Sequence, residues 1–162
     1  MDTLITNVTA VTMTPGTEVL FGVNIGITDG KIEFISKKVP EEMPKTIIEG
    51  TGMVAMPGLI NCHTHLATSV LRCFTDDLTN KEALEQKEAK MDSRSAKAAA
   101  LLSIAECLRF GVTSVSDLYY YPNATAQAVA ESGIKANLAL SSYRYIDQNE
   151  EFDFETDEQC RE

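Results

Sequence analysis

Met56-Pro57-Gly58-Leu59-Ile60-Asn61-Cys62-His63-Thr64-His65-Leu66 is the stretch whose reading decides the fold. Pro57-Gly58 punctuates the chain. A short apolar run follows and ends in polar groups. Such a run fits a strand buried on both faces, as in a parallel sheet.

The residues on either side differ in character. Upstream, Leu4 to Thr12, Val23 to Thr28 and Lys31 to Ile35 are rich in β-branched residues and read as strands. Thr28-Asp29-Gly30-Lys31 joins the last two. Asp-Gly between apolar-rich runs predicts a tight hairpin, because a primed turn needs positive φ. Lys37 to Lys45 is a polar loop with two prolines. Thr46 to Glu49 is a further short strand, and Thr51-Gly52 is a turn, followed by Met53 to Met56.

Downstream, the pattern becomes helical. Ala67 to Cys73 reads as a helical turn or two, and Leu78 to Lys90 as a charged helix of poor amphipathicity. Ser93 to Phe110 is the best helix: Ala96, Ala100, Leu101, Ile104 and Leu108 follow its period, and Gly111 is placed to stop it. Val112 to Asp117 is a second buried-type strand, Ala124 to Glu131 a short helix, and Ile134 to Leu140 a third strand. The acidic stretch from Asp147 carries a helix start at Thr156. The order is a β-rich segment and then β-α-β-α-β, which argues for parallel strands with crossover helices. The expected domains are residues 1–56 and 57–162.

Composition narrows the function classes. The chain has 162 residues, a net charge of −10 and 44% hydrophobic residues. It can build a core, and it has no basic patch with which to displace phosphate counterions, so no nucleic-acid role is expected. Cys62, Cys73, Cys107 and Cys160 stand alone, without a C-x-x-C pair, and read as free thiols of a reducing compartment. There is no basic, apolar leader and no run of the roughly 18 apolar residues a membrane span needs. A cytoplasmic protein without membrane contact is expected.

His63 and His65 are the only histidines. Side chains alternate along a strand, so the pair shares one face while Cys62 and Thr64 take the other. Two neutral imidazoles on one face can share a divalent metal. In α/β barrels, chemistry sits at the C-terminal ends of strands, which is where this pair falls.

The run from Met56 to Leu66 resembles the first barrel strand of the amidohydrolase superfamily, where proline and glycine lead into a strand ending in two histidine ligands. Ile27 to Ile32 resembles that family's β-sandwich hairpin, Gly111 to Asp117 its second barrel strand, and Ser132 to Ala136 the turn into its third. The resemblance implies an α/β fold: an N-terminal β-sandwich segment, then the first three β/α units of an incomplete TIM-like (β/α)8 barrel. Within the superfamily, His63 to Asp77 is most similar to the deaminase and chlorohydrolase branch, which acts on adenosine-type thioethers, guanine and triazines. The implied reaction is hydrolysis of an aminated or halogenated heterocycle by metal-activated water. The implied metal is zinc first and iron second, held by His63 and His65. Relatives acting on adenosine-type substrates carry a tryptophan after the Asp-Asp-Leu and then a glutamate. This chain has no tryptophan, Thr79 to Lys87 looks short, and Glu88 is the residue that could match the glutamate as a substrate-binding group.

The remaining ligands and the acid/base residue of that family lie on later strands. Asp117 is not at the family's aspartate-ligand position and reads as a polar cap at a strand end. From Pro57, 162 − 56 = 106 residues remain, against roughly 250 for a whole barrel. The expectation is therefore a catalytically incomplete front part of a parent enzyme, and the resemblance implies that this parent is a homo-oligomer. Two alternatives stand beside it: part of a binuclear cyclic-amide hydrolase of the dihydropyrimidinase kind, and a non-enzymatic module acting by association through exposed strand edges.

Overall fold

The computed structural model describes residues 1–41, 43–73 and 86–140. The chain divides into two compact units, Met1–Pro57 and Gly58–Glu162.

The first unit is a mixed sheet of five strands: β1 (Thr3–Val11), β2 (Val19–Thr28), β3 (Lys31–Ser36), β4 (Thr46–Glu49) and β5 (Val54–Ala55). β2 lies antiparallel between β3 and β1, while β4 and β5 pair with β1 in parallel. The Asp-Gly hairpin forms as its chemistry dictates, with Asp29 at φ 49° and Gly30 at φ 71° between the paired Thr28 and Lys31. β2 starts at Val19, earlier than the predicted Val23. The added residues include a bulge at Gly22. Val8 pairs with Val23 and Ala10 with Leu20, so β2 carries an extra residue there, and Gly22 adopts φ 60°. Val8, Ala10, Val23 and Ile25 form this unit's core. The described residues of the unit form one sheet, without the facing layer that the sandwich expectation calls for.

The second unit is a three-stranded parallel sheet in the order β6 (Leu59–Thr64), β7 (Val112–Tyr119), β8 (Lys135–Leu140). Its helices are α1 (Ser93–Arg109) and α2 (Pro122–Ser132), with a 3₁₀ helix over Leu66–Leu71 where a helical turn or two is expected. Gly58 has a specific reason to be glycine. A Cβ on it would lie 2.0 Å from the Thr113 Oγ1, so only a bare backbone lets the start of β6 approach β7. The Leu59 N–H donates to the Gly111 carbonyl at 2.8 Å across this join.

α1 begins with a reciprocal cap: the Asp92 carboxylate accepts from the Ser95 N–H, and the Asp92 N–H donates to the Ser95 hydroxyl. It ends at Gly111, φ 81°. Its buried face is Ala96, Ala99, Ala100 and Ile104. Leu108, expected on that face, is exposed. Leu66, Ala100, Ile104, Val115, Ala128 and Ile134 pack as one core joining the 3₁₀ helix, both α-helices and β7. α2 starts with Pro122 in its first turn and ends at Gly133, φ 75°. Of the helix expected over Leu78 to Lys90, residues 78–85 lie outside the described residues and residues 86–88 are helical. The expected helix start at Thr156 also lies outside them. Among the described residues, no helix is long and apolar enough to cross a membrane.

Candidate metal centre

β6 delivers His63 one residue before its C-terminal end, and His65 follows directly after it, at the mouth of the 3₁₀ helix. Strand alternation brings both side chains to one face. Their Nε2 atoms stand 3.4 Å apart, with ring centroids 5.0 Å apart and the rings nearly perpendicular. Both residues are exposed.

This separation permits a test of fit. Two imidazole nitrogens bound at about 2.0–2.1 Å to one tetrahedral zinc stand about 3.3–3.4 Å apart. The pair meets that distance without rearrangement. The ring orientation fits as well, because Nδ1 of His65 is engaged by the Leu118 carbonyl. A carbonyl only accepts, so Nδ1 carries the proton and Nε2 keeps its lone pair. At His63 the main chain is steadied instead: its N–H donates to Oδ1 of Asn61 at 3.2 Å.

The backbone between the histidines and the helices is held by side chains from two other elements. Asp117, 3% exposed, accepts the Leu66 N–H on Oδ1 at 2.6 Å. Burial pushes its carboxyl above the usual aspartate range, against the opposing pull of the Leu66 N–H and of the neighbouring His65 ring. The sequence reading placed Asp117 as a cap at the strand end. It is a buried brace instead: β7 runs on for two more residues, and Asp117 holds the Leu66 N–H from inside the strand. From α1, the Ser103 hydroxyl donates to the Leu66 carbonyl at 2.7 Å. At the far end of the 3₁₀ helix, Arg72 makes a two-pronged ion pair with Glu106 at 2.7 and 2.8 Å.

Glu88 is held by Tyr119. The Tyr119 hydroxyl donates to its Oε1 at 2.5 Å, and the Tyr119 ring centroid is 5.6 Å from that of His65. Glu88 is half-buried. The Tyr121 hydroxyl donates to the Met91 carbonyl at 2.6 Å, so a tyrosine ending β7 and one capping α2 grip residues 88–91. Sequence reasoning missed Leu118, whose contribution is a main-chain carbonyl and leaves no side-chain signal. It also missed Tyr119, although a run of three tyrosines after Asp117 was a visible sign. Among the described residues no three of His, Cys, Asp and Glu converge. A working zinc site needs about three protein ligands, more than this pair supplies.

Residues 54–162 match the family described as the Amidohydrolase family. The chain belongs to this family. Its similarity to individual amidohydrolases extends across both units. It is 39% identical over 127 residues to the 5-methylthioadenosine/S-adenosylhomocysteine deaminase of Dictyoglomus turgidum, covering 76% of this chain and 30% of that one. It is 37% identical over 142 residues to the 5'-deoxyadenosine deaminase of Methanosarcina mazei, covering 85% and 33%. Among solved structures, the zinc complex of atrazine chlorohydrolase from Arthrobacter aurescens superposes with a TM-score of 0.78 at 25% identity, covering 93% and 38%. A zinc-bound adenosine deaminase from Xanthomonas campestris superposes at 0.72 with 27% identity, covering 83% and 33%. The chain thus spans about a third of the length of the relatives it matches.

Proposed function

We propose that this amidohydrolase chain supplies the first two metal ligands, His63 and His65, of an enzyme that hydrolytically deaminates an aminated heterocycle. The observation that carries the reading is the 3.4 Å spacing of the two Nε2 atoms at the C-terminal end of a parallel strand. We take the parallel β6-β7-β8 sheet with α1 and α2 as the opening of a TIM-like barrel, and β1–β5 as part of a β-sandwich. A divalent metal, when bound, lowers the pKa of coordinated water to about 7 and so makes hydroxide available at neutral pH. Zinc is the metal we favour, because the ligand spacing suits it and the solved neighbours carry it.

The chain's own residues have assignable tasks. His63 and His65 offer neutral nitrogen lone pairs. The Leu118 carbonyl holds the His65 tautomer. Glu88, held by the Tyr119 hydroxyl, is the carboxylate we assign to accept hydrogen bonds from hydroxyl groups of a substrate. The relatives named for adenosine-type compounds support a nucleoside-like substrate. The missing tryptophan, which argued against one, weighs less than that kinship.

The test is ammonia release from a panel of aminated purine nucleosides, pterins and triazines. It compares zinc-loaded residues 1–162 with a protein that also carries the remaining two thirds of a relative's length. We expect turnover only from the longer protein, abolished by His65→Ala. Turnover by residues 1–162 alone, or by the His65→Ala form, overturns the reading.

A further inference from the structure

We propose that Asp117 is a positioning residue for His65: its buried carboxylate holds the His65–Leu66 peptide so that the His65 Nε2 faces His63. The proposal rests on the metal-pair reading for its purpose, and on the following geometry for its mechanism.

In the β6-β7 register Asp117 lies opposite Thr64, the residue between the two histidines. Its Oδ1 accepts the N–H of Leu66, the amide of the peptide that leaves His65, at 2.6 Å. The next residue on β7, Leu118, takes the His65 Nδ1 on its carbonyl. Two consecutive residues of one strand therefore grip His65 at its backbone and at its ring. The peptide grip fixes where the side chain starts, and the ring grip fixes where it points.

The location of Asp117 argues that this is a dedicated role. A carboxylate at 3% exposure costs far more to bury than a neutral residue would, unless its acceptor is used. Its hydrogen bond goes to a main-chain amide that is itself sealed, since Leu66 is fully buried. That amide also sits where the chain leaves β6 for the 3₁₀ helix, so strand pairing and helix hydrogen bonds both miss it. Ser103 secures the other side of the same residue through the Leu66 carbonyl. Leu66 is thus pinned at both ends by side chains from β7 and α1, and His65 is the residue that inherits the rigidity.

The experiment compares Asp117→Asn, which keeps an oxygen acceptor, with Asp117→Leu, which does not. Ile104→Ala serves as a control for lost stability alone. The readouts are Leu66 amide exchange, the His65 tautomer from imidazole nitrogen shifts, and zinc affinity by titration. We expect Asp117→Leu to free the Leu66 amide, mix the His65 tautomers and weaken zinc about 10-fold or more. Asp117→Asn should stay near the unsubstituted chain in all three. Ile104→Ala should lower the melting temperature while leaving tautomer and zinc unchanged. Asp117→Leu behaving like Ile104→Ala overturns the proposal, and so does Asp117→Asn being as damaging as Asp117→Leu. If Asp117→Leu does not fold, the unsubstituted chain still decides: rapid exchange of its Leu66 amide overturns the proposal, and strong protection supports it. Failure of the unsubstituted chain to bind zinc refutes the metal-pair reading instead, and the tautomer comparison then decides the role of Asp117.

Discussion

Nε2 of His63 and Nε2 of His65 stand 3.4 Å apart, while the other ring nitrogen of His65 is occupied by a carbonyl of the neighbouring strand. The two Nε2 atoms therefore already stand at the separation that a shared ion requires. The β6-β7 join and the core beneath it can each be tested separately.

The core under the histidines should be costly to hollow. Ile104 is fully buried and packs with Leu66, Val115 and Ala128. Ile104→Ala removes transfer energy and leaves a cavity, so chemical denaturation should show a loss of about 2–5 kcal/mol.

The close approach at the start of β6 should resist any side chain. Gly58→Ala drives a Cβ to within 2.0–2.7 Å of three atoms of Thr113. We expect a loss of about 1–3 kcal/mol, the usual scale of overpacking. Thr113→Gly should recover part of it in the double variant, a coupling that independent sites would not show.

The cap on α1 sets a pH dependence. The Ser95 hydroxyl, and after it the Ser95 N–H, hold the Asp92 carboxyl below its ordinary value of 3.8. A depressed carboxylate contributes stability above the unfolded value, and that contribution is lost as the pH falls through the folded one. Asp92→Ala should therefore lower the melting temperature near neutral pH and flatten its acid limb. Two melting curves that stay parallel into acid would contradict this.

The tyrosine grip on residues 88–91 should be separable into two contributions. Tyr119→Phe removes the donor to Glu88, and Tyr121→Phe removes the donor to the Met91 carbonyl. Amide exchange across residues 88–91 should quicken in each and quicken further in the double variant, with β6 unaffected.

Much of this was legible in the sequence, for identifiable reasons. The hairpin at Asp29-Gly30 announced itself because positive φ at two successive positions restricts the residues allowed. The α1 helix was readable from its period and from Gly111. The shared face of His63 and His65 followed from strand alternation alone. The missed features are those without a local signal. The early start of β2 at Val19 depends on a bulge at Gly22, and a bulge leaves no period to read. Leu118 acts through its carbonyl, which every residue has. Asp117 looked like a cap because nothing local told that β7 would continue through Tyr119, or that the amide needing its oxygen lay 51 positions earlier in the chain. Leu108 kept the helical period yet faces outward, since periodicity gives a stripe and the neighbouring elements decide how wide a stripe is covered.

The central claim is that His63 and His65 bind one metal ion together. Zinc titration of residues 1–162, followed at the ring signals of both histidines, tests it most directly. The account predicts that the two histidines respond in concert with a single, weak affinity, and that His63→Ala abolishes the response at His65. Independent responses at the two rings, or a response at His65 that survives His63→Ala unchanged, would contradict it.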